Sequence, residues 1–105
     1  MKTFKFLNES PESNQREMSP YDIYVDHIVR ECINAGVSWM GYETFIRDDD
    51  GERKRLKIVG GINANGLLNV TYEVVQYMGN GIHQRNIYQL TIELTPEENF
   101  RERLT

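Results

Sequence analysis

From Val37 to Leu94 apolar and polar side chains alternate in four runs, broken by turns that carry glycine. A period of two residues is the signature of strands with one buried face. Residues 37–47 and 52–59 flank Asp49-Asp50-Gly51. A three-residue hairpin loop commonly ends on a glycine in the left-handed region, and Gly51 stands where that is needed. This register sets Met40 against Gly60, Tyr42 against Ile58 and Thr44 against Leu56, with Glu43 opposite Lys57 on the other face. Both faces are then sensibly paired. Residues 60–66, rich in glycine and asparagine, read as a loop. Residues 67–78 and 83–94 form a second hairpin around Gly79-Asn80-Gly81. Leu68, Val70, Tyr72 and Val74 on one strand, and Tyr88, Leu90, Ile92 and Leu94 on the other, belong on its core side.

The spacing changes before this region. Tyr21, Val25, Ile28, Val29, Cys32 and Ile33 recur at helical intervals and predict a helix over residues 20–35. Ser19 is its cap, Pro20 suits the first helical position, and Asp22 stands where a capping-box acid belongs. Gly36 is the stop. Asp22, Asp26 and Arg30 form the polar stripe. A second capping box, Thr95-Pro96-Glu97-Glu98, opens a short terminal helix with Phe100 and Leu104 one turn apart. Residues 3–7 read as a short strand and residues 8–18 as a mobile loop. The expected fold is a single α+β domain over residues 1–105. One long helix packs on a four- to five-stranded antiparallel meander, in the order β-α-β-β-β-β-α, with a short C-terminal helix. The order is similar to the cystatin-like arrangement in topology alone. The first long hairpin carries Asp48-Asp49-Asp50-Gly51 and not a glycine-valine wedge, so no family is assigned.

Composition narrows the function classes. Hydrophobic residues make up 39% and charged residues 27%, a globular balance. The formal charge of −4 opposes general affinity for a phosphate backbone and suits a basic partner. Cys32 is the sole cysteine, so no internal disulfide can form, and its place on the apolar side of the helix makes it a small core residue. No apolar run has the length of a membrane span or of a signal peptide, and a cytoplasmic location is expected.

No catalytic, metal or cofactor motif stands out. His27 and Glu31 lie one helical turn apart but lack a third ligand. Asp48, Asp49 and Asp50 lack the alternating oxygen ligands of a calcium loop. The loop around Gly60 lacks the lysine and hydroxyl of a phosphate-binding loop. What stands out is the outer face of the sheet. Val75, Tyr77 and Ile87 are apolar where water is expected, and Trp39 and Phe45 join them. His83 and Arg85 lie beside them, giving a candidate partner-binding set of Trp39, Phe45, Val75, Tyr77, His83, Arg85 and Ile87. Contiguous apolar surface of this kind marks an interface, unless Phe4, Phe6, Phe100 or Leu104 covers it from within the chain. The leading expectation is a small, acidic, non-enzymatic protein that binds another protein or a second copy of itself. It would act as an inhibitor, immunity protein or phage-encoded antagonist by occlusion. Rings interleaved with Arg53, Arg55, Lys57 and Arg85 give the alternative, a single-stranded nucleic-acid module. Glu73, His83 and Arg85 give a third, a small metal-independent ribonuclease.

Overall fold

The computed structural model describes residues 19–104. The expected strand over 3–7 and the loop over 8–18 lie outside the described residues. The described chain runs α1 (Asp22–Ala35), β1 (Glu43–Arg47), β2 (Arg53–Ala64), β3 (Leu67–Gly79), β4 (Ile82–Glu93), α2 (Pro96–Leu104). The strands form one antiparallel sheet in the order β1-β2-β3-β4. The α+β class is as expected. The main helix is shorter than expected, with 14 residues, and the order among the described residues is α-β-β-β-β-α. No helix among the described residues is long and apolar enough to cross a membrane.

Ser19 and Pro20 precede α1 and do not cap or begin it, because the chain makes a separate turn over residues 19–22 and Tyr21 becomes the N-cap without a side-chain cap bond. Ser19 Oγ accepts from the Tyr21 N–H at 3.0 Å, and Asp22 reaches back to the Ser19 N–H at 3.2 Å. This reciprocal box closes one turn before the regular helix begins. Gly36 ends α1 at φ 73°, with its N–H and that of Val37 donating to Ile33 and Cys32 carbonyls. At α2, Thr95 and Glu98 exchange bonds of 3.0 and 3.1 Å. Glu98 also receives Arg30 from α1, while Arg30 Nη2 donates to the Glu93 carbonyl at 3.0 Å. Both helices are thereby tied to the end of β4. Asp22 departs from the expected polar stripe: it is buried and accepts from the Tyr72 hydroxyl.

Val25, Val29, Cys32 and Ile33 of α1 join Leu56, Ile58, Leu68, Val70, Tyr72, Val74, Leu90 and Ile92 in one hydrophobic core. Burial, with the Glu31 carboxylate second, pushes the Cys32 thiol up, which keeps it neutral and unreactive.

Two parts of the sheet depart from the sequence reading. Residues 37–42 are not strand. Gly41 takes φ 78°, and Tyr42 closes a turn by donating to the Trp39 carbonyl. The turn carries Trp39 into the core, where it is 2% exposed. Below it the expected pairing of Glu43 with Lys57 and Thr44 with Leu56 holds. The second departure is 60–66, which is not a loop. β2 passes through a register shift between Ile58 and Gly60 and continues to Ala64. Asn65 and Gly66, at φ 56° and 88°, then make a two-residue turn into β3. Positive φ at both positions is what a tight hairpin requires. The shift moves the alternation by one residue, so Gly61 and Asn63 face the helix and Ile62 faces out.

Tyr21, Asp48 and Lys54 join the start of α1 to the first hairpin. The Tyr21 hydroxyl donates to Asp48 at 2.6 Å, and the buried Lys54 ammonium pairs with the same carboxylate. Burial would raise the Asp48 carboxyl, but hydrogen bonds from Lys54 and Tyr21 outweigh it and hold it below the ordinary value of 3.8. The Asp48 bond raises Lys54 above 10.5, and burial followed by Asp48 raises Tyr21 above 10.0. The stabilisation from Asp48 is present above its unfolded value and is lost as pH falls through the lower folded one. That from Lys54 and Tyr21 is present below their unfolded values and is lost as pH rises through the folded ones. Asp48→Asn is expected to cost about 2–3 kcal/mol at neutral pH, because Lys54 keeps only Asp50 at 3.7 Å. Urea titrations of both proteins from pH 2 to 7 should show the difference shrinking below about pH 4. A difference independent of pH would show that the ion pair contributes nothing.

Candidate binding face on the outer side of the sheet

The outer face is set by register. One row across it reads Phe45, Arg55, Val75, Arg85, and the next reads Glu43, Lys57, Glu73, Ile87. Tyr77 opposes His83 towards the tip of the β3–β4 hairpin. Here the hairpin outruns α1: the Tyr21 ring, just before the helix, meets the Tyr88 ring at 5.9 Å. Residues 82–87 are therefore exposed on both sides of the sheet.

Six side chains, Phe45, Arg53, Arg55, Val75, Tyr77 and His83, line a shallow depression of about 290 Å³. The Arg53 guanidinium lies 4.0 Å over the Phe45 ring, a cation–π arrangement. Tyr77 and His83 meet at 5.2 Å between ring centroids. Val75 forms the floor at 5% exposure, between Arg55 and Arg85 in the ladder. Arg55 Nε is buried and has no hydrogen-bond partner among the described residues, which leaves a desolvated donor on a cation.

Ion pairs on this face are open ones: Arg85 with Glu73 at 3.3 Å and Lys57 with Glu43 at 3.9 Å. The cations Arg53, Arg55, Lys57 and Arg85 outnumber the acids of this face, Glu43, Glu73 and Glu93. Asp26, Glu31, Asp48, Asp49, Glu97 and Glu102 lie on the helices and the first hairpin loop. The net negative charge of the chain is thus carried elsewhere, and the outer face is cationic.

Of the sequence-predicted set, the structure brings Phe45, Val75, Tyr77 and His83 around one depression, with Arg85 and Ile87 on its β4 flank. Trp39 is not among them, since it lies in the core on the other side of the sheet. Ile62 and Leu67 are on the outer face and are 74% and 48% exposed, although the sequence reading passed over both. The Asn65-Gly66 dipeptide between apolar alternations was the signal that could have found them. Phe100 and Leu104 do not cover the face. Both are exposed on α2, which is bound through Asn63 and through Arg101 to the Asn34 carbonyl.

The ribonuclease trio does not assemble. Glu73 opposes Ile87 whereas His83 opposes Tyr77, a separation of roughly 13 Å along the strand. Glu73 is paired with Arg85 and His83 with the Tyr77 ring. Among the described residues no three His, Cys, Asp or Glu side chains stand together as metal ligands. Comparison with family models, with curated proteins and with solved structures finds no match for this chain.

Proposed function

We propose that this is a non-catalytic binding protein that occludes a partner protein with the outer face of its sheet. The observation that carries the reading is the set of exposed apolar side chains on one face that α2 leaves open, with Phe45, Tyr77 and Ile87 towards the β3–β4 tip and Ile62 and Leu67 at the opposite end. Burying such side chains is worth ~1.5–3 kcal/mol each, and a lone domain seldom leaves so many exposed on one face without a use. The face's charge sets the partner's chemistry. Arg53, Arg55, Lys57 and Arg85 favour an acidic surface over the basic one that the net charge suggests, and Arg55 Nε offers a desolvated donor to a carboxylate. Inhibition, immunity or antagonism by steric occlusion all fit this mode of action.

The second reading, a single-stranded nucleic-acid platform, is favoured by the rings of Phe45, Tyr77 and His83 beside arginines. Ile62, Leu67 and Ile87 weigh against it, because aliphatic side chains bury apolar surface but offer no π-face to a base.

Tyr77→Ala is expected to weaken partner binding by about 2 kcal/mol, roughly thirtyfold, with the melting temperature almost unchanged. Affinity capture from a lysate of the source organism, with and without nuclease, tests both readings. Proteins retained by the wild type and lost with Tyr77→Ala, regardless of nuclease, support the first. Capture that nuclease abolishes supports the second. Identical capture by both variants shows the face to be inert.

A further inference from the structure

We propose that β4 is a self-pairing edge, through which two copies of this chain join their sheets antiparallel about a two-fold axis at Gln89. The two edges of the sheet are unequal. β1 has five residues, and short edges resist pairing. β4 has twelve, with no proline, no lysine and no bulge of its own, so among the described residues its only protections against pairing are the charges of Arg85 and Glu93.

The direction of its backbone groups follows from one bond. The Leu94 N–H donates to the Gly66 carbonyl at 2.8 Å, which makes the even-numbered residues the ones bonded to β3. Residues 85, 87, 89 and 91 therefore aim N–H and C=O at the open side. Glu93 points the same way, and Arg30 occupies its carbonyl. That contact ends the free edge at residue 91.

Charge complementarity selects the occupant and the register. β4 carries one cation and one anion, Arg85 and Glu93, both on the outer face and equidistant from Gln89. With Gln89 at the axis, Ile87 pairs with Thr91 of the second copy. Each Arg85 then faces the opposite Glu93, and a single strand supplies both halves of two ion pairs. The helix side of the edge fits as well. Ile23, Asp26, His27 and Arg30 of α1 and Leu90 of β4 line an open groove of about 330 Å³, and Ile23 is 74% exposed there. A second β4 lays its own Leu90 and Tyr88 beside that groove. The seam does not depend on what the outer face binds, and it would join two such faces into one platform.

Sedimentation of the full chain across ~1–200 μM tests the proposal. The expected result is a monomer–dimer equilibrium in which Gln89→Pro raises the dissociation constant at least about tenfold. Among the described residues the Gln89 N–H makes no bond within one copy, so proline at this edge position spares the ladder. Arg85→Glu should weaken the dimer likewise, and Arg85→Glu combined with Glu93→Arg should restore it. Should Gln89→Pro fail to fold, hydrogen exchange of the wild type decides. The amides of Ile87, Gln89 and Thr91 should gain protection as concentration rises. A monomer at every concentration overturns the proposal, as does a dimer indifferent to Gln89→Pro. Concentration-independent protection of those amides in a monomer also overturns it, because another segment of the same chain then holds the edge.

Discussion

Replacing Trp39 with alanine is expected to lower stability by about 3–5 kcal/mol and to leave partner binding by the folded protein unchanged. The side chain is 2% exposed and is among the largest in the core. Its ring lies against the backbone at Gly61: a Cβ added there would sit 2.7 Å from Trp39 Cη2 and 2.5 Å from the Asn69 carbonyl oxygen. Strand and ring are thus in direct contact, with no room for a methyl group. Gly61→Ala should accordingly destabilise by about 1–3 kcal/mol through overpacking. Each kcal/mol moves the melting temperature of a domain near this size by roughly 4–8 °C, so calorimetry separates these losses from scatter. Trp39→Ala that melts like the wild type but loses its partner would return Trp39 to the binding face and refute its placement here.

Val29→Asp is expected to cost about 4 kcal/mol or more, a large share of the 5–15 kcal/mol that holds a typical domain. Val29 is fully buried among Leu56, Tyr72 and the other apolar side chains of the core. An aspartate there loses its hydration and finds no cation, since Lys54 and Arg30 are already bound to Asp48 and Glu98. Val29→Ala, which removes only methyl groups, should cost about 1–3 kcal/mol and serves as the reference. Chemical denaturation should show Val29→Asp mostly unfolded or melting about 20 °C lower. Equal effects of the two substitutions would mean that the position is wet.

Residues whose role is decided by near neighbours were legible. Thr95 with Glu98 and Gly36 fix helix ends through bonds within a few residues and form as read, and Ser19 and Asp22 bond reciprocally as read although α1 starts two residues later than expected, with Tyr21 at its N-cap. Gly51, Gly79, Asn80 and Gly81 all take positive φ, because tight turns allow little else. The core faces of α1, β3 and β4 followed from period alone. On the outer face the same period located Phe45, Val75, Tyr77, His83, Arg85 and Ile87.

Distant partners defeated the reading elsewhere. Gly60-Gly61 has the composition of a loop, yet Gly61 is there because Trp39 and the Asn69 backbone leave no space for a side chain. Trp39 alternates like an outward strand residue, and a turn closed at Tyr42 carries it inward. Asp22 has helical spacing suited to water, and Tyr72, fifty residues away, makes it a buried acceptor. Net charge is read from the sequence but its distribution is not: Arg53, Arg55, Lys57 and Arg85 gather on the outer face of the sheet, while Asp48, Asp49 and Asp50 sit at the first hairpin loop. By itself the sequence determined the helices, the α2 box, the Gly36 stop, the turns at Gly51 and Gly79-Asn80-Gly81 and the two-sided pattern of β3 and β4, all of which rest on contacts over one or two helical turns or one hairpin. Only the tertiary structure decided which face each apolar residue serves and where the charge accumulates, because those depend on which distant elements meet.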